Sequence, residues 1–145
     1  MTGQAKAVDV LLVEDDAGDV LITRDAFERH NSCNPLHVVS DGEEAIRFLR
    51  RSQPFTQAPR PALILLDLNL PTLSGLDVLA EIKGDEDLRT IPVVMLSTSR
   101  AEQDIYASYS LHANAYIAKP VDFDQFSVAM QQIDAFFLSL VERCN

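Results

Sequence analysis

Four short stretches carry side chains that could do chemistry together: Glu14-Asp15-Asp16, Asp67, Ser97-Thr98, and Lys119 followed by Pro120. Carboxylates gathered in one place repel each other unless a positive charge lies among them. A hard divalent cation with oxygen ligands resolves that repulsion, and Mg²⁺ suits one or two carboxylates plus waters and a phosphate oxygen. A carboxylate in such a setting can also act as a nucleophile and form an acyl phosphate. Asp67 is the candidate for that step. Lys119 would balance the remaining negative charge, and the Ser97 hydroxyl would exchange hydrogen bonds with phosphate oxygens. Any one of these residues alone reads as an ordinary turn or cap residue; the weight lies in their positions along the chain.

Those positions are strand ends. VDVLLV (8–13), LHVVS (36–40), ALILL (62–66), IPVVMLS (91–97) and AYIAK (115–119) are short apolar runs that predict strands. Between them lie segments of helical character. VLITRDAFERH (20–30) has Val20, Leu21 and Phe27 on roughly one face. DGEEAIRFLRR (41–51) opens with an Asp41/Glu44 capping box, and LSGLDVLAEIK (73–83) spaces Leu76, Leu79 and Ile82 helically. AEQDIYASYSLHA (101–113) is the fourth helix, and a fifth is expected from near Asp122 to about Val141. SQPFTQAPRP (52–61), with three prolines, reads as a surface connector. Five strand–helix repeats predict an α/β fold, a flavodoxin-like, doubly wound five-stranded parallel sheet of order 2-1-3-4-5 with five helices. In such sheets ligand groups gather at the carboxyl ends of the strands, where these acids, the hydroxyl and the ammonium would converge.

Composition narrows the classes of function. With 145 residues and 47% apolar side chains, one domain with one core is expected, residues 8–145, preceded by a loose tail at 1–7. Twelve Lys and Arg against 22 Asp and Glu leave a net charge of −10, which argues against nucleic acid or an anionic membrane as partner. Cys33 and Cys144 fit no metal-ligand spacing and read as free thiols. The N-terminus has no signal-peptide pattern, and no run approaches the roughly 18 apolar residues of a membrane span, so a cytoplasmic protein is expected.

The stretches LLVEDD (11–16), LILLDLNLPTLSG (63–75), VVMLSTS (93–99) and YIAKP (116–120) resemble the receiver domain of two-component response regulators, from about Val8 to about Leu140. The resemblance implies that Asp67 accepts a phosphoryl group from a histidine kinase. It implies metal ligation by Asp15, Asp67 and the backbone carbonyl of Asn69, with Glu14 acting through water. Mg²⁺ would be the usual ion, with Mn²⁺ or Ca²⁺ as substitutes. Ser97 would be the switch hydroxyl, Lys119 the ammonium on the phosphoryl oxygens, and Tyr116 the aromatic residue that moves inward when Ser97 engages phosphate. Asn69 and Ser99 fall where the family tunes hydrolysis. The family would also make the Lys119–Pro120 bond cis, where sequence alone favours trans. The first acid of the pair is Glu where many receivers have Asp; Asp16 reads as a cap or first-turn residue of the first helix.

Within the family, RRSQPFTQAPRP, VLAEIKGDEDLRTIPVV and SYSLHANAYIAKPVDFDQF are most similar to stand-alone regulators linked to bacterial phytochromes, and a phytochrome-type histidine kinase is the expected partner. The chain ends soon after the fifth helix, so no output domain is expected. Phe123, Phe126, Met130, Ile133, Phe137 and Leu140 form one helical stripe, while Val128, Phe136 and Leu138 lie off it. The off-stripe residues point to a homodimer through the fourth helix, fifth strand and fifth helix. Two other classes fit less well. A haloacid-dehalogenase-type phosphatase needs an Asp where Asn69 stands, and a flavin site needs a phosphate loop where the acids of EDDAGD would repel it.

Overall fold

The computed structural model describes residues 8–30, 34–98, 102–122, 124, 125 and 128. Five strands, β1 (Val10–Val13), β2 (Leu36–Val39), β3 (Leu63–Asp67), β4 (Val93–Ser97) and β5 (Ala115–Ala118), form one sheet of order β2-β1-β3-β4-β5. Every pairing is parallel, with Val10 opposite Leu36 and Leu63, Ile64 opposite Val93, and Val94 opposite Ala115. This is the expected flavodoxin-like order.

Strand alternation divides the apolar side chains between two cores. On one face Leu11, Val13, Ile64, Leu66, Val93 and Met95 pack with Ala45, Phe48 and Leu49 of α2 (Gly42–Arg50) and Val78, Leu79 and Ile82 of α3 (Gly75–Gly84). On the other, Val10, Leu12, Leu63, Leu65, Val94, Leu96 and Ile117 pack with Ala26 and Phe27 of α1 (Ala17–His30). Each fully buried aliphatic side chain stabilises the fold by about 1.5–3 kcal/mol. The central strands β1, β3 and β4 therefore hold the site's backbone on a rigid base.

Caps rather than apolar residues fix the helix ends. Asp16 caps α1, its Oδ1 accepting from Gly18 N at 2.9 Å, so the helix starts three residues before its apolar pattern does. Leu21 is 68% exposed and does not share a buried face with Phe27; the face turned inward carries Thr23, Ala26 and Phe27. Three consecutive apolar residues, Val20-Leu21-Ile22, cannot all lie on one helical face. Asp41 Oδ1 accepts from Glu44 N at 2.8 Å, and Glu44 Oε1 reaches back to Ser40 N at 2.7 Å, one residue beyond the usual box partner. Ser74 caps α3 through Asp77 N, and α4 (Glu102–Ser110) stops ahead of His112, whose φ is 69°.

The proline-rich connector is more than a surface link. Phe55 packs its ring 5.5 Å from Phe48, and Arg51 Nε donates to Ala58 O at 2.9 Å. Four helices stand among the described residues. Apart from Asp124, Gln125 and Val128, which are helical, the fifth expected helix lies outside them, as do its apolar stripe, Ser99 and both cysteines. At its start, Asp122 Oδ1 accepts from Gln125 N at 2.7 Å, which is N-cap geometry.

Candidate functional site

The carboxyl edge of the sheet is built by hydrogen bonds that hold strand ends together. Glu14 N donates to Val39 O at 3.0 Å as the chain leaves β1. Leu68 N donates to Leu96 O at 2.8 Å just past Asp67, and Lys119 N donates to Ser97 O at 2.8 Å just past β5. Gly75 N donates to Leu68 O at 2.8 Å, which brings the start of α3 back against the end of β3. The Lys119–Pro120 bond is cis.

Three strand ends meet at one ammonium. Lys119 Nζ lies 2.5 Å from Glu14 Oε1 and 3.2 Å from Asp67 Oδ1. It also donates to Asp19 Oδ2 at 3.0 Å. Glu14, Asp67 and Ser97 are buried, at 2%, 3% and 0% exposure, whereas Asp15 is exposed. Glu14 Oε1 has no well-directed hydrogen bond, so its close contact with the ammonium is chiefly one of charge. Asn69 N donates to Asp67 Oδ1 at 3.3 Å, folding the next loop over the acid. In that loop Thr72 holds φ at 67°, a costly conformation for a β-branched residue.

Glu14, Asp15 and Asp67 each offer a carboxylate oxygen within 4.8 Å of the other two. An all-oxygen, carboxylate-rich set of this kind fits a hard divalent cation. Charge balance points the same way. Burial pushes the Glu14 carboxyl up from 4.5 to about 7; the close Lys119 ammonium opposes this, and the adjoining Asp67 adds to it. For Lys119, burial would weaken protonation, but the close Glu14 carboxylate, the hydrogen bond to Asp19 and the charge of Asp67 hold it above the usual ammonium range. One fixed cation thus serves too many acids, and a bound metal would relieve the surplus.

A pH dependence follows. Between about 4.5 and about 7, folded Glu14 binds more protons than unfolded Glu14, so this residue's contribution to stability falls as pH rises through that window. The metal-free protein is expected to lose more melting temperature between about pH 5 and pH 8 than Glu14→Gln does, and Mg²⁺ is expected to restore it at the higher pH. Thermal melts of both proteins would contradict this if the two pH profiles ran parallel.

Of the residues singled out in the sequence, Glu14, Asp15, Asp67, Ser97 and Lys119 come together at this edge. Asn69 lies in the adjoining loop. Tyr116 is half-buried on β5, paired in register with Met95 and packed against the α2–α3 core. Asp19 was missed. The signal that could have found it is an acid in the first turn of a helix that opens at the carboxyl end of β1.

The fold and the acid–ammonium cluster define a receiver. Residues 10–131 match the response regulator receiver domain, and the chain belongs to that family, whose members signal together with histidine kinases. It is 42% identical over 132 residues to response regulator Rcp1 of Synechocystis sp., covering 91% of this chain and 90% of that protein. The Mn²⁺-bound structure of Rcp1 superposes with a TM-score of 0.77 over 90% of this chain and 94% of that one. The bacteriophytochrome response regulator RtBRR is 43% identical, with a TM-score of 0.81 over 89% of this chain and 79% of that one. The phosphorylated cyanobacterial phytochrome response regulator RcpA is 44% identical, with a TM-score of 0.79 over 92% and 96%.

Proposed function

We propose that Asp67 is the phosphoryl acceptor of a regulator driven by a phytochrome-type histidine kinase. The observation that carries this reading is the convergence of Asp67, Glu14 and Lys119 from three strand ends in a chain of the receiver family. An Asp67 carboxylate oxygen attacks the phosphorus of a phosphohistidine. A P–O bond forms, the P–N bond breaks, and the electron pair stays on the departing imidazole nitrogen, which then takes a proton from solvent. Lys119 neutralises phosphoryl oxygens, and the Ser97 hydroxyl bonds one of them. Asp15, Asp67 and the Asn69 carbonyl would hold Mg²⁺ directly, with Glu14 acting through water; Mn²⁺ or Ca²⁺ could substitute. When bound, the ion supplies the positive charge that lets an anionic donor approach an acidic site. The same groups make the chain promote its own phosphorylation and dephosphorylation. The Mn²⁺-bound Rcp1 structure and the phosphorylated RcpA structure support both halves of this reading.

Readout passes from Ser97 through Tyr116 to the α4–β5 surface, a local charge event read by a two-state element. On that surface Tyr106 and Tyr109 of α4 are exposed, as is Val128. They support signalling through protein contacts and a homodimer across α4, β5 and the fifth helix. The acidity of the chain supports neither nucleic acid nor membrane as partner, and no described helix is long and apolar enough to cross a membrane. We place this activity in the cytoplasm, in one receiver domain over 8–145 behind a tail at 1–7.

The test is incubation with Mg²⁺ and a small acyl phosphodonor, followed by measurement of acid-stable, base-labile phosphate. Label on the wild type that chelation and Asp67→Asn both abolish is expected. An unlabelled wild type, or equal label on Asp67→Asn, would overturn the reading.

A further inference from the structure

We propose that Asp19 is a positioning residue that tethers the Lys119 ammonium in the resting state and competes with the phosphoryl group for it. This rests on Asp67 as the phosphoryl acceptor. An ammonium has three protons, and in this structure three carboxylate oxygens surround it, from Glu14, Asp19 and Asp67. A phosphoryl oxygen can therefore reach Lys119 only by displacing one of them. The Glu14 side chain is 1% exposed, so the ammonium is costlier to lose there; Asp67 carries the phosphoryl group itself. Asp19 stands in the first turn of α1 with its side chain 27% exposed, so water can replace the ammonium there at least cost. Release of Asp19 is then the step that frees Lys119, and it ties phosphorylation to the start of α1.

The same geometry sets a sign. A residue that merely braced Lys119 toward the phosphoryl group would weaken phosphoryl binding when removed, whereas a competing tether strengthens it. The control is Asp16. It is exposed, its Oδ1 accepts from Gly18 N, and Asp16→Asn removes the same unit of charge from the same turn while keeping a capping side chain.

The test is a ¹⁹F NMR titration of the whole protein with beryllofluoride, a phosphoryl mimic, at saturating Mg²⁺. Mg²⁺ affinity is measured separately on each variant. Asp19→Asn and Asp19→Ala are expected to bind beryllofluoride about three- to tenfold more tightly than wild type, the alanine variant at least as tightly as the asparagine one, as fits the loss of one charge-assisted hydrogen bond. Asp16→Asn is expected to change it less than twofold. Unchanged or weaker binding by both Asp19 variants, or a gain equalled by Asp16→Asn, overturns the tether. A wild type that binds no beryllofluoride, or binds it equally well as Asp67→Asn, removes the reading of Asp67 on which the tether rests.

Discussion

Lys119→Met is expected to slow phosphorylation by small phosphodonors about 100-fold at saturating Mg²⁺, the order of effect seen when one fixed electrostatic donor is removed from a reacting oxyanion. The donor's phosphoryl oxygens would meet Glu14, Asp15 and Asp67 without the ammonium that now lies 3.2 Å from Asp67 Oδ1. The same substitution is expected to destabilise the metal-free protein by about 3 kcal/mol near neutral pH, because the Glu14 and Asp67 side chains, 1% and 4% exposed, lose their shared counter-charge. That loss should shrink as the pH falls below about 7, where Glu14 takes up a proton, and again when Mg²⁺ is added. Denaturant melts and a labelling time course check both halves. A labelling rate within about twofold of wild type would show that the ammonium does not act on the transferred group.

Gly75→Ala is expected to cost about 3 kcal/mol of stability, at the upper end for an overpacked site, and to lower the melting temperature by about 10 °C. A Cβ on Gly75 would overlap the carbonyl oxygen of Asp67 and stand 2.7 Å from Leu68 Cα. These are backbone atoms that cannot swing aside as the end of a side chain could. The clash can be relieved only by moving α3 away from the end of β3 and stretching the bond from Gly75 N to Leu68 O. The backbone displaced is that of the acceptor, so labelling at Asp67 should fall as well. Unchanged thermal melts would mean that the loop after β3 gives way more easily than its contacts indicate.

How legible the molecule was in its sequence differs between elements for physical reasons. The strands were legible because β1, β3 and β4 are buried on both faces and so read as unbroken apolar runs. Sheet order followed from alternation with helices, and Glu14, Asp15, Asp67, Ser97 and Lys119 followed from sheet order, since each stands at or next to the carboxyl end of a strand. Helix phase was harder to read. The buried face of α1 is carried by Thr23 and Ala26 beside Phe27, which gave a weaker pattern than Val20-Leu21-Ile22, and two of those three residues are exposed. Phe55 docks against Phe48 from within a segment whose prolines suggested only a connector. Asp19 was hidden most thoroughly. Its partner Lys119 is 100 residues away in the chain, and an acid in the first turn of a helix has an adequate local explanation in the helix dipole.

The most direct measurement locates the phosphoryl group. Borohydride reduction of an aspartyl phosphate leaves homoserine, so the labelled protein can be reduced, cleaved and mapped by mass spectrometry. Homoserine at position 67, formed only when Mg²⁺ and phosphodonor are both present, is the predicted result. Homoserine at Asp15 or Asp16, or phosphate on a serine or histidine with position 67 unmodified, would contradict the assignment of Asp67 as the acceptor.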